Sequence, residues 1–202
     1  MEGNGLKIVL SGPSGSGKGT IVQELIKDNN YQLSISATTR TARTGEIEGK
    51  HYFFKTQDQF QAMIEADDLL EYAEFCGNYY GTPKDFINST IENGQDIILE
   101  IEVQGALQIK KKYPEAIFIF IMPPTFEELR TRLNGRSTDS IATIEQRLLR
   151  AREELALYNA YDYIIINDKL EDAVNEVKLI TQAEKLKSER YQTYIANMLG
   201  EN

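Results

Sequence analysis

Short apolar runs alternate with stretches of helical spacing along this chain. Residues 6–11 (LKIVLS) are rich in aliphatic and β-branched side chains and lead into a glycine-rich turn, which predicts a buried strand. Residues 19–28 then carry Ile21, Leu25 and Ile26 at helical spacing, and Asn29 and Asn30 stop the helix. A second short strand is predicted over 33–36. Residues 51–54 and 69–75 read as strands, with a helix over 57–66 between them. A turn at Gly77 and Asn78 precedes 79–81, which predicts a small, mostly β lobe. Pro83 is expected at the first position of a helix that runs to Asn93 and is closed by Gly94. Beyond it, 96–102 (DIILEIE) reads as a strand, 104–112 as a helix and 117–122 as a strand. Pro123 and Pro124 break the chain. Helices are expected over 126–134 and 143–159, either side of the polar stretch 135–140. A last strand covers 163–166, and one long amphipathic helix runs from Glu171 onward. Strands alternating with helices imply an α/β fold, a parallel sheet flanked by helices.

Composition narrows the function classes. The chain has 202 residues, 41% hydrophobic and 26% charged, enough for one sizeable core with one or two small inserted lobes. Its longest apolar run, 116–122, falls far short of the roughly 20 residues that span a membrane, so no membrane partner is expected. No signal peptide is visible, and Cys76 is the only cysteine. An internal disulfide is thereby excluded, and a reducing cytoplasm is the expected location. Cys76 reads as a passive thiol, and the lone His51 excludes a multi-histidine metal site. The net charge of -9 argues against nucleic acid as a partner. Arginines nevertheless cluster at 40 and 43 and again between 132 and 152, a distribution that suits small phosphorylated ligands.

The strongest local signal is Gly12-Pro13-Ser14-Gly15-Ser16-Gly17-Lys18-Gly19-Thr20, which fits G-x-x-x-x-G-K between a predicted strand and a predicted helix. Glycines let successive backbone N–H groups surround phosphate oxygens, and the helix N-terminus adds partial positive charge. Lys18 supplies an ammonium for the β and γ phosphates of a triphosphate. The position after the lysine, often Ser or Thr, is here Gly19, which leaves Thr20 or water as the metal contact. This GKGT ending resembles nucleoside monophosphate kinases more than signalling GTPases.

A second pattern lies in the polar loop that follows: Thr38-Thr39-Arg40, Arg43, Glu46, Gly49, Tyr52 and Phe54-Lys55. Guanidinium forks at Arg40 and Arg43 suit bidentate phosphate binding, though on their own they fit a solvated basic loop equally well. Together with the glycine loop, this signature resembles the guanylate kinase family, and the resemblance extends to Asn167 and Asp168. It implies a P-loop core over 1–35, 83–125 and 151–202, a GMP-binding lobe over 36–82 and a helical lid over 126–150. It further implies transfer of the γ-phosphoryl of ATP to GMP, and to dGMP, with Mg²⁺, for guanine nucleotide synthesis and salvage. ATP and GMP are the implied partners, and a homodimer is compatible with them.

Residue roles follow from the resemblance. Arg40, Arg43, Tyr52 and Tyr80 would hold the acceptor phosphate. Glu71 would accept the N1–H and exocyclic amine of guanine, with Ser36, Thr82 and Glu102 as further contacts. Glu100, with Thr20, would sit at the magnesium. Arg132 and Asn167 would approach the adenine, and Arg136 and Arg147 would close over the triphosphate alongside Lys18 and Arg40. Read without the family, Glu71 is an ordinary strand glutamate. The lid arginines would likewise be surface residues paired with Glu127, Glu128, Glu145 or Glu153. Two rivals share part of the pattern: a non-catalytic interaction module with this fold, and a P-loop kinase for another phosphorylated acceptor. Intact Lys18, Arg136 and Arg147 argue against the first, and Glu71 against the second.

Overall fold

Parallel strands covered on both faces must be apolar throughout, and the centre of this chain's main sheet is. A computed structural model describes residues 5–75, 77–135 and 141–200. Strands β1 (Lys7–Ser11), β2 (Tyr31–Leu33), β7 (Asp96–Glu100), β8 (Ile117–Met122) and β9 (Tyr163–Ile166) form one parallel sheet in the order β2-β7-β1-β8-β9. Val9, Ile98, Leu99 and the run Ile117–Ile121 are all buried. On one face, α1 (Lys18–Leu25) and α7 (Leu170–Lys185) pack Ile21, Leu25, Ala173 and Val177 against the sheet. On the other, α3 (Lys84–Glu92) and α4 (Val103–Lys112) bring Ile87, Ala106 and Ile109 against Val9, Leu99 and Phe118. Because β1 is central, with β7 on one side and β8 on the other, the loops leaving all three converge at their carboxyl ends. That is where open α/β sheets bind ligands.

A second sheet is inserted between β2 and α3. Its strands β3 (Ala37–Thr38), β4 (Phe53–Phe54), β5 (Leu69–Phe75) and β6 (Asn78–Pro83) lie in the order β4-β3-β6-β5, parallel only between β3 and β4. Helix α2 (Gln57–Glu65) starts with a reciprocal cap in which Thr56 accepts from the Gln59 amide and Gln59 from the Thr56 amide. Its Phe60 is fully buried with Ala37 and Leu69 and stacks on Tyr79 at 5.5 Å, giving the lobe its own small core. Helices α5 (Phe126–Asn134) and α6 (Ile141–Leu155) form a third unit around Leu129, Leu133, Ile144, Leu148 and Ala151. Thr125 caps α5 directly after the two prolines. No helix among the described residues is long and apolar enough to cross a membrane.

Several boundaries differ from the sequence expectations. The early apolar run divides into β2 and β3 rather than one strand over 33–36. Pro83 does not occupy the first helical turn. With ψ at 134° it ends β6 and flanks α3 from outside, paired with Leu69. Strand β7 stops at Glu100, so Glu102 is the residue before α4 and not a strand residue. The helix expected over 143–159 ends at Leu155, with a short 3-10 turn at Tyr158–Ala160. The expected terminal helix is interrupted after Lys185 by a 3-10 turn, Ser188–Tyr191, before α8 (Gln192–Leu199). No glycine or proline marks that break. Instead, the buried face of α7 ends at Glu184, which accepts from the Tyr163 hydroxyl, and Leu186 beyond it is exposed.

Ile98 is fully buried between the sheet and its helices. Ile98→Ala should cost about 2–5 kcal/mol and lower the melting midpoint by roughly 10 °C, as measured by calorimetry.

Candidate active site

The turn after β1 is shaped by three glycines at positive φ. Gly12 (φ 145°) passes so close to β8 that a Cβ there would lie 2.0 Å from the Ile121 carbonyl oxygen. Gly17 (φ 91°) precedes α1, and a Cβ on it would meet the Asn167 side-chain nitrogen at 2.2 Å. Gly15 (φ 90°) has the third such conformation, which L side chains rarely adopt. No side chain caps α1 and no acidic residue lies in its first turn, so nothing there opposes an anion at the helix N-terminus. Lys18 Nζ bends back to donate to the carbonyls of Gly12 at 2.6 Å and Pro13 at 3.2 Å, which keeps the ammonium over the loop.

Asn167 has a task that the sequence reading missed. Buried at the end of β9, it donates from Nδ2 to the Ser16 carbonyl at 2.8 Å and thereby holds the loop open. Its own carbonyl accepts from Arg132 Nη2 at 3.0 Å, while Arg132 Nε pairs with Glu128 at 2.8 Å. Arg132, Asn167 and the loop are thus one assembly. Across the loop, Glu100 ends β7 with Oε1 3.5 Å from where a Cβ on Gly19 would stand. Loss of hydration raises its carboxyl above the ordinary value; nearby Lys18 lowers it and Glu102 raises it further. Thr20 is exposed one residue further into α1.

The lobe gathers the residues expected to hold the acceptor phosphate. Arg40 Nη2 grips both carboxylate oxygens of Glu46, at 2.8 and 3.0 Å, and the Arg43 amide donates to the same carboxylate at 2.7 Å. Those bonds, Arg40's first, bring the Glu46 carboxyl down from 4.5 to about 2. The Arg40 guanidinium lies 5.4 Å from the Tyr52 ring, which packs edge-on to Tyr80 at 6.1 Å. Arg40, Tyr52 and Tyr80 are therefore brought together, with Arg43 exposed beside them. Glu46 was read only as a signature position. Its part in setting Arg40 depends on a hairpin-like approach of the loop to itself, which no local pattern announces.

Glu71 owes its direction to a strand irregularity. Leu69 pairs with Pro83 but Tyr72 with Gly81, so Leu70 and Glu71 both face Thr82 across a bulge. The bulge interrupts alternation. Leu69, Leu70 and Glu71 are buried in succession, and Glu71 Oε1 accepts from the Thr82 hydroxyl at 2.7 Å. Burial raises the Glu71 carboxyl, against the lowering effect of Thr82 and Lys112. Carrying the β3–β6 register one residue further sets Ser36 opposite Thr82. Glu102 is placed apart from this cluster: its side chain is exposed and accepts from Arg150 Nη2 at 3.2 Å, with Arg150 Nε on Glu154 at 2.9 Å. Arg147 is half-buried on α6, one turn before Arg150. Arg136 and Cys76 lie outside the described residues.

The two clusters share a wall. Glu100 at the end of β7 faces Gly19 at the start of α1, and a Cβ on Gly105, in the first turn of α4, would stand 3.3 Å from Glu71 Oε2. The arrangement can hold two phosphorylated ligands side by side, one on a glycine loop and one on arginine and tyrosines beside a buried carboxylate. Among the described residues no group of three or more metal-ligating side chains occurs, so a cation here would depend on ligand phosphates.

Comparison with known proteins agrees with this geometry. A family model described as guanylate kinase matches residues 5–184. The guanylate kinase of Streptococcus thermophilus strain CNRZ 1066 is 50% identical over 203 residues, covering 100% of this chain and 97% of its own. That of Halalkalibacterium halodurans is 54% identical over 187 residues, 92% of each chain. Among solved structures, a guanylate kinase from Anaplasma phagocytophilum superposes with a TM-score of 0.74 at 34% identity, covering 93% of this chain and 90% of that one.

The Glu46 carboxylate gives a direct test of the lobe geometry. Its pairing with Arg40 should be complete above pH 4.5 and lost only as the pH falls through about 2. Carbon-detected NMR should show Glu46 titrating near that lower value and Glu71 above the ordinary carboxylate range.

Proposed function

The chain belongs to the guanylate kinase family, and from that premise we propose that it catalyses ATP + GMP → ADP + GDP, accepts dGMP, and serves guanine nucleotide synthesis and salvage in the cytoplasm. The observation that carries the reading is the buried carboxylate of Glu71, held by Thr82 on the wall next to a complete phosphate loop. Guanine offers N1–H and an exocyclic N–H on one edge, which a carboxylate accepts as a pair. Adenine presents an acceptor at N1 and would leave Glu71 unsatisfied, the kind of mismatch that discriminates by up to ~10⁴-fold or more. Ser36 and Thr82 supply hydroxyls beside it, and Glu102 would have to leave Arg150 to join them. No residue in this set is assigned to the ribose 2′-hydroxyl, which is why dGMP is included.

Phosphoryl transfer asks for alignment and charge neutralisation more than for covalent chemistry. The loop of Gly12, Pro13, Ser14, Gly15, Ser16, Gly17, Gly19 and Thr20 surrounds the donor β and γ phosphates with Lys18; its free N–H groups donate, while Pro13, which has no N–H, only shapes the turn. Arg132 and Asn167 flank the donor base. Arg40, Arg43, Tyr52 and Tyr80 orient the acceptor phosphate, one of whose oxygens attacks the γ-phosphorus in line. The new O–P bond forms as the bond to the β-phosphate bridging oxygen breaks, and ADP leaves. The attacking oxygen is already anionic, so no general base is needed. Residues 126–150 act as a lid that brings Arg136 and Arg147 over the triphosphate and keeps water out. Residues 36–82 close from the acceptor side, and the core comprises 1–35, 83–125 and 151–202.

The donor set also fits Mg²⁺, which commonly uses one carboxylate, waters and substrate phosphates. Glu100, with Thr20 through water, would hold it, and the missing side chain at Gly19 leaves Glu100 room. When bound, it neutralises charge on the triphosphate.

A coupled ADP-release assay with GMP, dGMP, AMP, UMP and CMP tests the assignment. GMP and dGMP should support turnover; equal rates with AMP would remove Glu71 from base recognition. Lys18→Ala should lower kcat by about 10²-fold or more with an unchanged melting temperature, as expected for loss of transition-state charge stabilisation. Glu71→Gln should raise KM for GMP while leaving KM for ATP within about twofold.

A further inference from the structure

Gly105 lies inside α4 with ordinary helical geometry, so its glycine is not explained by backbone conformation. Glycine is the weakest helix former apart from proline, and a buried helical position normally favours alanine. What the missing side chain provides is space. A Cβ on residue 105 would stand 3.3 Å from Glu71 Oε2, tight enough that the carboxylate must give by a few tenths of an ångström, and at an ordinary contact distance of 3.7 Å from Glu71 Cδ. Glu71 cannot retreat easily. Its other oxygen is tied to the Thr82 hydroxyl at 2.7 Å. The bulge between Leu69 and Tyr72 fixes the strand behind it.

We propose that Gly105 is a positioning and specificity-determining residue: by leaving α4 without a side chain there, it sets the angle at which the Glu71 carboxylate meets the acceptor base. The inference rests on the reading of Glu71 as the guanine acceptor. A carboxylate that accepts two N–H bonds at once must present both oxygens in the plane of the base, and a shift of a few tenths of an ångström spoils one of them before the other. Gly105 thus acts on the preference for a 2-amino purine more than on phosphate binding, which Arg40, Tyr52 and Tyr80 carry from another part of the lobe.

The test is Gly105→Ala, assayed with GMP, with IMP, which lacks the exocyclic amine, and with ATP varied. We expect KM for GMP to rise about tenfold, in keeping with the sensitivity of bound geometry to small displacements. KM for ATP should stay within twofold and the preference for GMP over IMP should fall. On a Glu71→Ala background, Gly105→Ala should have no further effect on KM for GMP. An unchanged KM and preference in the single variant, or an equal effect on the Glu71→Ala background, overturns the proposal. Glu71→Gln separates it from its premise: if that variant leaves KM for GMP unaltered, the base-site reading fails independently of Gly105. A thermal melt accompanies each variant. Should Gly105→Ala melt low, the combination with Glu71→Asp, whose carboxylate is one methylene shorter, should recover stability; a melt that stays low shows that the clash is not with Glu71 and also overturns the proposal.

Discussion

The turn from β7 into α4 is the constraint on which the two halves of the site depend. This short segment approaches both: Glu100 faces Gly19 at the glycine loop and Gly105 faces Glu71. The segment is held firmly, because β7 is paired on both edges and α4 packs Ala106 and Ile109 into the core. A transfer reaction between two bound nucleotides requires that their separation be set by something stiffer than either binding loop. Side chains on a buried strand and the first turn of a packed helix meet that requirement better than loop residues would. The lobe then needs only to lay its bulge against α4, and the Glu71 carboxylate is placed relative to the glycine loop.

The charges show how an acidic chain can still welcome anions. The guanidinium groups near the site are held by carboxylates: Arg40 by Glu46, Arg132 by Glu128, and Arg150 by Glu102 and Glu154. Most of these pairs are partly exposed, where an ion pair contributes roughly 0–1 kcal/mol. A phosphate can therefore compete for the same donors without overcoming a large pre-existing attraction. The carboxylates meanwhile keep the arginines in place and prevent them from repelling one another. The Arg40–Glu46 pair is the most enclosed of the four, and it also recruits the Arg43 amide, so this loop is shaped before any ligand arrives.

The features legible in the sequence were those whose physics is local. β8 is apolar at every position because it is covered on both faces, and the glycine loop is visible because only glycine takes those backbone angles. Strands β5, β8 and β9 and helix α5 begin and end where their patterns say. What was not legible depends on distant partners. Nothing in LLEYAEF reveals that the pairing slips at Leu70 and Glu71, since the slip is defined by Pro83 and Gly81 on another strand. Asn167 reads as a turn residue until the loop it supports is folded beside it, and Gly105 reads as a poor helix residue until Glu71 arrives. The end of α7 belongs to the same group, because it is set by where the sheet stops.

The same reasoning bears on the energy of the empty site. Burial raises the carboxyls of Glu71 and Glu154, and partial loss of hydration raises that of Glu100, whose side chain still reaches solvent, so each favours its proton in the folded chain more than in the unfolded one. The sign is the reverse of that for Glu46. Between the ordinary carboxylate value and the raised one the native state binds more protons, and its stability falls as the pH rises through that interval. At neutral pH these three groups therefore oppose folding, and the apolar core must offset them. A ligand that donates N–H bonds to Glu71, or a cation that reaches Glu100, removes part of that opposition. Some of the binding free energy is consequently relief of a cost already present in the empty protein, the trade-off expected where a site is preorganised for function.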